Sequence, residues 1–426
     1  MSFLGELAAR RRFGMRPGLE TIRGVCAALG DPQLKFKAVH VAGTNGKGAV
    51  CAILDAALRS HEGSGGVTPP HIGRYTSPHL VKINERFFLD GAPVDDATLE
   101  RIAQRVESSL LRLHLDSTPT FFEALTAVAY LLYAEAKVDC AILECGLGGR
   151  LDATNVCDPA LSVITKIGLD HCDWLGDTVE KIAAEKAGIV KPGVPVVLGR
   201  NAPSVVEVVR RRAAEVGAPF HYAPDLADEG EIPAGFPLPG SFNRENAVTA
   251  LAALKALLGG GRLPSTAADG FRNAVWPGRF QRIGDFIVDG AHNPPAARAL
   301  RAALEAEGLG HRALGLICGF CGDKDVGEVL SILAPLVKKG FAVRTNNPRS
   351  LTAEETAAKM RAAGIDAVAC VSLRSAIEQS NNQTIKQSNN RTLICGSLFL
   401  AGEALVELGA YPWGPIRFDK AELLKT

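Results

Sequence analysis

Residues 38–51 read AVHVAGTNGKGAVC: a short apolar run, Ala38–Ala42, then the turn Gly43-Thr44-Asn45-Gly46-Lys47-Gly48, then an Ala-rich helical pattern over Ala49–Arg59. Strand, glycine turn and helix in that order build a cradle for phosphate. Glycines let backbone N–H groups close around oxyanions, and the helix N-terminus adds partial positive charge. Lys47 is placed for the terminal phosphates of a nucleotide. The usual P-loop spelling continues with Ser or Thr after the lysine, whereas Gly48 and Ala49 stand here.

The rest of the chain extends this unit into an α/β protein. Helical periodicity marks Leu19–Leu29, Asp95–Leu115 and Phe121–Ala136, and apolar strands fall at Val138–Leu143, Leu161–Thr165 and Val194–Leu198. Val81–Leu89 reads as an extended pair around Asn84-Glu85-Arg86, after a Gly/Pro-rich stretch over Gly63–Gly73 and a loop at Tyr75–Leu80. Strands alternating with helices, each ending in a polar or Gly-rich turn, predict a mostly parallel sheet with its ligand site beyond the strand C-termini. The pattern restarts around Ala274–Gly278. Phe286–Val288, Ala313–Cys318, Phe341–Arg344, Ala367–Val371 and Leu393–Cys395 then form a second, smaller Rossmann-like α/β domain. The expected boundaries are 1–275 and 276–426. Residues 379–392, QSNNQTIKQSNNRT, repeat QSNN and read as a polar surface insertion. Arg16-Pro17-Gly18 reads as a turn near the N-terminus.

Composition excludes several classes. The 426 residues are 47% hydrophobic and 22% charged with a net charge of +1, so a dedicated nucleic-acid binder is not expected. No apolar stretch is long enough to span a membrane, and the N-terminal arginine cluster has no apolar segment behind it, which points to the cytoplasm. The ten cysteines lack framework spacing and suit reduced thiols. Cys318 and Cys321 form a CxxC without a second pair.

Several polar residues sit where chemistry is done. Glu144 ends a buried strand, the usual place for a magnesium-binding carboxylate in nucleotide-hydrolysing folds, and His171 lies between Asp170 and Asp173 at the next strand's end. Lys186 falls on the apolar stripe Val179, Ile182, Ala183 and Ala187 of a helix over Thr178–Ile189, an unusual address for a cation. In the second domain Asp289-Gly290-Ala291-His292-Asn293-Pro294 follows a strand. Asn293 and Pro294 start a helix, while Asp289 and His292 face the strand-end crevice, where a ribose or base could be held.

GTNGKG, YTSPHL with NER, TFFEAL, LECGLGGRLDATN, IGLDH, EKAGI, GRFQ, DGAHNP and DKD occur in that order. Together they resemble the folylpolyglutamate synthase/dihydrofolate synthase family of the Mur ligase superfamily. The resemblance implies an ATP-dependent ligase that phosphorylates a folate or dihydropteroate carboxylate and adds L-glutamate to it. It implies Thr44, Asn45, Gly46, Lys47 and Gly48 around the phosphates, with Lys47, His171 and Lys186 serving catalysis. Ser77, Glu144 and His171 would hold magnesium, two ions being expected, and Lys186 would be carbamylated to help hold the second. Asn246 would contact adenine, Arg279 a phosphate, and Asp289 and His292 the ribose and phosphate region. Phe122, Asp152 and Ala153 would hold the pterin-bearing substrate. Asp323, Lys324, Asp325, Arg349 and Ser350 fall in the general region of the glutamate pocket. A monomer working on small molecules is expected. The TSPHL and NER segments and Phe121-Phe122-Glu123 favour a folate-type substrate over a peptidoglycan precursor. Ala49, where the family has Ser or Thr, raises the alternative of a nucleotide-binding regulator that has lost catalysis.

Overall fold

The computed structural model describes residues 18–61, 69–112, 118–259, 265–384 and 391–414. Its contacts divide the chain into two units. The first holds the described residues up to His79 with Ile83–Pro237 and Asn243–Val275. The second holds Leu80–Lys82, Leu238–Phe242 and the described residues from Trp276 onward.

The first unit is built on eight strands: β1 (Lys37–Ala42), β2 (Ile72–Tyr75), β3 (Phe87–Leu89), β4 (Ala92–Pro93), β5 (Cys140–Glu144), β6 (Pro159–Ile164), β7 (Val196–Leu198) and β8 (Phe220–Tyr222). Their order across the sheet is β4-β3-β2-β5-β1-β6-β7-β8. All pairs are parallel from β2 to β8, and β3 and β4 extend one edge antiparallel. The central strands are apolar on both faces, as a sheet covered by helices on both sides requires. The phosphate loop therefore leaves β1 between its two neighbours, β5 and β6.

The helix Phe121–Ala136 lies where its periodicity placed it, started by a reciprocal capping box between Thr120 and Glu123 and buried along most of its length. Two expectations need correction. Val81–Leu89 is not an extended pair: Ile83–Arg86 forms a 3-10 turn and only Phe87–Leu89 is strand, paired with β2. Strand β2 was hidden because Ile72-Gly73-Arg74-Tyr75 offers no apolar run, and Arg74 is an unlikely residue for a strand interior.

Arg74 is nonetheless buried there, and its charge is balanced. Its Nη1 lies 3.1 Å from Asp55 Oδ2, its guanidinium stacks 3.8 Å from the Phe88 ring centroid, and Asp55 also accepts from Arg59 Nε at 2.9 Å. Removing one member of a buried pair strands the other charge. Asp55→Ala is expected to lower unfolding free energy by about 3–5 kcal/mol, read as a lower urea midpoint. An unchanged midpoint would show that the pair contributes nothing.

The second unit has six strands: β9 (Gln281–Ile283), β10 (Phe286–Val288), β11 (Leu314–Cys318), β12 (Val337–Ala342), β13 (Ala367–Ala369) and β14 (Arg391–Cys395), in the order β13-β12-β11-β14-β10-β9. Only β9 is antiparallel, to β10. Cys318 and Cys395 are buried on neighbouring strands as small apolar residues and Cys321 is a free thiol; among the described residues no group of three His, Cys, Asp or Glu gathers around the CxxC. The polar segment 379–392 is not a loop throughout. Its first residues complete a helix over Leu373–Thr384 and its last two open β14, where Ser380 and Thr392 bond across the core. Residues 385–390 and the Arg16-Pro17 portion of the N-terminal turn lie outside the described residues.

Candidate active site

Gly46 has φ 88° and caps the helix Lys47–Arg59. A side chain there would be strained, and a Cβ would also stand 2.2 Å from Asn246 Oδ1. Asn246, on the helix Ser241–Leu257, thus lies directly against the loop, and the two expected nucleotide contacts are neighbours in the first unit. The loop is tied to the end of β6. Thr44 and Asn45 donate their backbone N–H groups to Lys166 O (2.8 and 3.2 Å), and Thr44 Oγ1 donates to Gly168 O (3.0 Å). Thr165 Oγ1 donates to Asn45 O at 2.8 Å. Thr165 and Lys166 escaped the sequence reading; their only signal was their place just before the IGLDH motif.

Lys47 Nζ folds over the loop and donates to Gly43 O (3.1 Å) and Thr44 O (3.2 Å). Lys186 is buried on the helix Val179–Ala187, as its stripe position required. Burial, and next the Lys47 charge, push its ammonium down from 10.5 to about 7. Cys145, Asp170 and Asp152 act in the opposite direction. The unfolded lysine keeps its proton up to about 10.5, while the folded one sheds it near 7. Between those values the unfolded state binds more protons, so stability rises with pH. In carbon dioxide-free buffer the wild type is expected to gain stability from pH 7 to 9, by at most about 1.4 kcal/mol per pH unit relative to Lys186→Met. Parallel profiles for the two proteins would contradict the buried charge.

Glu144 Oε2 accepts from the Ser77 backbone N–H at 2.9 Å, so two of the expected magnesium ligands meet. His171 is the N-cap of the short helix Cys172–Leu175, in left-handed conformation (φ 52°) and with its side chain 41% exposed; its Nε2 stands 3.8 Å from Asp170 Oδ1. Among the described residues no three His, Cys, Asp or Glu side chains converge as a cage. Glu144 by itself offers the kind of oxygen that magnesium takes. Mg²⁺ takes one or two carboxylates and completes its shell with phosphate oxygens and water. Glu144, buried at a strand end and bonded to the Ser77 segment, beside the loop that would carry those phosphates, supplies such a carboxylate.

The loop Gly146–Asp152 rests on the Lys186 helix. A Cβ on Gly149 would stand 2.9 Å from both Glu185 O and Lys186 O, and Arg150 N–H donates to Glu185 O at 2.8 Å, so only glycine allows the approach. The Phe122 ring lies over Gly146 and 6.0 Å from the Tyr75 ring. Asp152 points inward and accepts from Leu147 N–H (2.8 Å), Thr154 N–H (3.0 Å) and Thr154 Oγ1. Burial raises its pKa while these donors lower it. Ala153 is buried beside it. Phe122, Asp152 and Ala153 therefore border one loop, with Asp152 as its internal brace.

In the second unit Asp289 departs from the expectation that it faces the crevice. It is 5% exposed, and its oxygens accept from Phe280 N–H and Ala291 N–H, each at 2.7 Å. It shapes the turn bearing Arg279 and His292, because a buried carboxylate must spend its lone pairs. His292 Nδ1 bonds Gly290 O at 2.8 Å, and Arg279 Nη1 donates to Gly278 O at 3.1 Å with its guanidinium 6.0 Å from the Trp276 ring. Asn293 caps the helix Pro294–Ala306 as expected. Asp323 gathers Lys324 (3.9 Å) and Arg349 (3.6 Å). Asp325 caps the helix Val326–Leu333, and Ser350 Oγ accepts from Thr345 N–H.

Residues 41–212 match the Mur ligase middle domain, and residues 278–398 match the Mur ligase glutamate ligase domain. The chain is 37% identical over 331 residues to a dihydrofolate synthase/folylpolyglutamate synthase of Bacillus subtilis, covering 70% of this chain and 74% of the relative. It is similar to the Mycobacterium tuberculosis folylpolyglutamate synthase complexed with ADP, with a TM-score of 0.85 and 30% identity over 94% of this chain and 96% of that one. It is also similar to a bifunctional folylpolyglutamate synthase/dihydrofolate synthase with Mn, AMPPNP and L-glutamate bound, with a TM-score of 0.81 and 31% identity over 96% and 98% of the two chains. Among the described residues no helix is long and apolar enough to cross a membrane.

Proposed function

We propose a reaction from one premise: this chain belongs to the folylpolyglutamate synthase/dihydrofolate synthase family of Mur ligases. It is an ATP-dependent ligase that joins L-glutamate to the carboxylate of a folate or dihydropteroate. The observation that carries the reading is the buried Lys186 beside Lys47 of the phosphate loop. Two adjacent lysines, one out of water, hold both charges only at a cost in the protein alone, and a bound polyphosphate would offset that cost.

A carboxylate is a poor electrophile until it has a leaving group. One of its oxygens attacks the γ-phosphorus of ATP, the bond to the β,γ-bridging oxygen breaks, and ADP departs, leaving an acyl phosphate. The glutamate amine then attacks the acyl carbon, the bond to the phosphate oxygen breaks, and the amine loses its proton as phosphate leaves. Gly46 and Gly48 offer backbone N–H groups to the phosphates, Thr44 and Asn45 hold the loop in shape through their own N–H bonds to Lys166 O, and Lys47 exchanges its carbonyl partners for phosphate oxygens. Asn246 holds the adenine, and Arg279, Asp289 and His292 serve the nucleotide's phosphate and ribose region, Asp289 by shaping the turn. Phe122, Asp152 and Ala153 border the pterin, while Asp323, Lys324 and Arg349 offer charge to L-glutamate.

Ser77, Glu144 and His171 would hold magnesium, which when bound neutralises phosphate charge. Lys186, with a pKa of about 7, holds part of its population as the free amine, which would add carbon dioxide with loss of a proton, and the carbamate oxygens would then be available to a second magnesium. The enzyme works as a monomer on small molecules. Purified protein given ATP, magnesium, labelled glutamate and either dihydropteroate or tetrahydrofolate is expected to incorporate label and release ADP in equal amounts. No product with either acceptor overturns the reading.

A further inference from the structure

His40 lies in the middle of β1, three residues before the phosphate loop, and is fully buried. A histidine inside an apolar central strand needs a partner, and its partner belongs to another loop. Its Nε2 lies 2.8 Å from Thr154 Oγ1 and 3.1 Å from Cys145 Sγ. Thr154 Oγ1 has a carboxylate oxygen within reach, Asp152 Oδ1, and donates its one proton there, since a charged acceptor outbids a sulfur. The hydroxyl oxygen then accepts, so the imidazole carries its proton on Nε2. His40 Nδ1 is left bare, without a hydrogen-bond partner. Burial keeps the ring neutral, with its pKa lowered to about 3.

The Thr154 backbone is held as well: its carbonyl accepts from Tyr130 Oη at 2.8 Å, and its N–H bonds Asp152. Asp152 in turn holds Leu147 N–H. A chain of hydrogen bonds thus runs from β1 through His40, Thr154 and Asp152 to the Gly146–Asp152 loop.

We propose that His40 is a positioning residue for the pterin-bearing substrate, fixing the Asp152 loop through Thr154. The inference rests on the ligase reading above and adds to it a link between the nucleotide strand and the acceptor loop. A general structural role would weaken everything together, whereas positioning acts on one substrate.

The test measures steady-state kinetics and backbone amide exchange for wild type, His40→Val, His40→Gln and Thr154→Val. His40→Val is expected to raise KM for dihydropteroate about tenfold, with KM for ATP and kcat within about twofold. Exchange should quicken at residues 147–155 and stay unchanged at 43–48. His40→Gln, which restores an N–H at similar reach, should return KM toward wild type. Thr154→Val should match His40→Val, and the double variant should be no worse than either, because both break one chain. An unchanged KM for dihydropteroate, or an equal rise in KM for ATP, overturns the inference while wild-type ligation stands. Absence of ligation by the wild type overturns the ligase reading instead, and unaltered exchange at 147–155 in His40→Val then overturns the link itself. Should His40→Val fail to fold, Thr154→Val and His40→Gln carry the same comparison.

Discussion

Lys186→Ala is expected to lower kcat by on the order of a hundred- to a thousandfold, with bicarbonate unable to restore it. The side chain is buried, its pKa is brought to about 7 by desolvation and the Lys47 charge, and it sits under the loop bearing Asp152. In the carbamate reading the loss removes an oxygen ligand and leaves Lys47 without its counter-group. Mass analysis under mild conditions should find one added carbon dioxide on the wild type and none on the variant. A variant turning over at near wild-type rate would end the carbamate role, and an unmodified wild type at full activity would do the same. Lys186→Arg is expected to be as poor as alanine, because a guanidinium keeps its charge and does not form a carbamate.

Glu144→Gln should lower kcat by about a hundredfold and raise the magnesium concentration needed for half-maximal rate. The substitution is chosen for what it keeps. The amide oxygen can still accept from Ser77 N–H, so the Tyr75–Leu80 segment retains its anchor while the negative charge is lost. Magnesium titrations at saturating ATP separate the two contributions. A variant with unchanged magnesium dependence would reduce Glu144 to a brace for the Ser77 segment. A variant with unchanged turnover but lower thermal stability would lead to the same conclusion.

Ala49 is the residue for which fold and chemistry give different emphasis. It is buried in the first turn of the helix that the phosphate loop opens. Its apolar side chain suits that packing. The hydroxyl that usually follows a P-loop lysine is missing, yet Glu144 and the Ser77 segment remain together nearby.

Legibility followed the range of the forces involved. The strand–loop–helix of residues 38–59, the helix Phe121–Ala136 and the Asn293 cap are local patterns of spacing and hydrogen bonding, and they were readable directly. The out-of-place Lys186 was readable because periodicity defines a face, and a charge on that face is conspicuous. Strand β2 was not readable, because Arg74 is tolerated there through Asp55 and the Phe88 ring, residues distant in sequence or on another strand. The polar segment 379–392 misled in part, because Ser380 and Thr392 satisfy each other across the core and so let polar residues enter helix and strand.

The amino-acid sequence by itself determined the α/β class, the phosphate loop, the family and the residue types of the candidate site. These follow from short-range periodicity, glycine-dependent turns and ordered motifs. Only the tertiary structure decided that Thr165 and Lys166 brace the phosphate loop, that the carboxylates of Asp152 and Asp289 are spent on the protein's own donors, and that His40 reaches Thr154. The reason is physical: a buried polar group must find its partner, and that partner is chosen by packing between segments that no spacing along the chain relates.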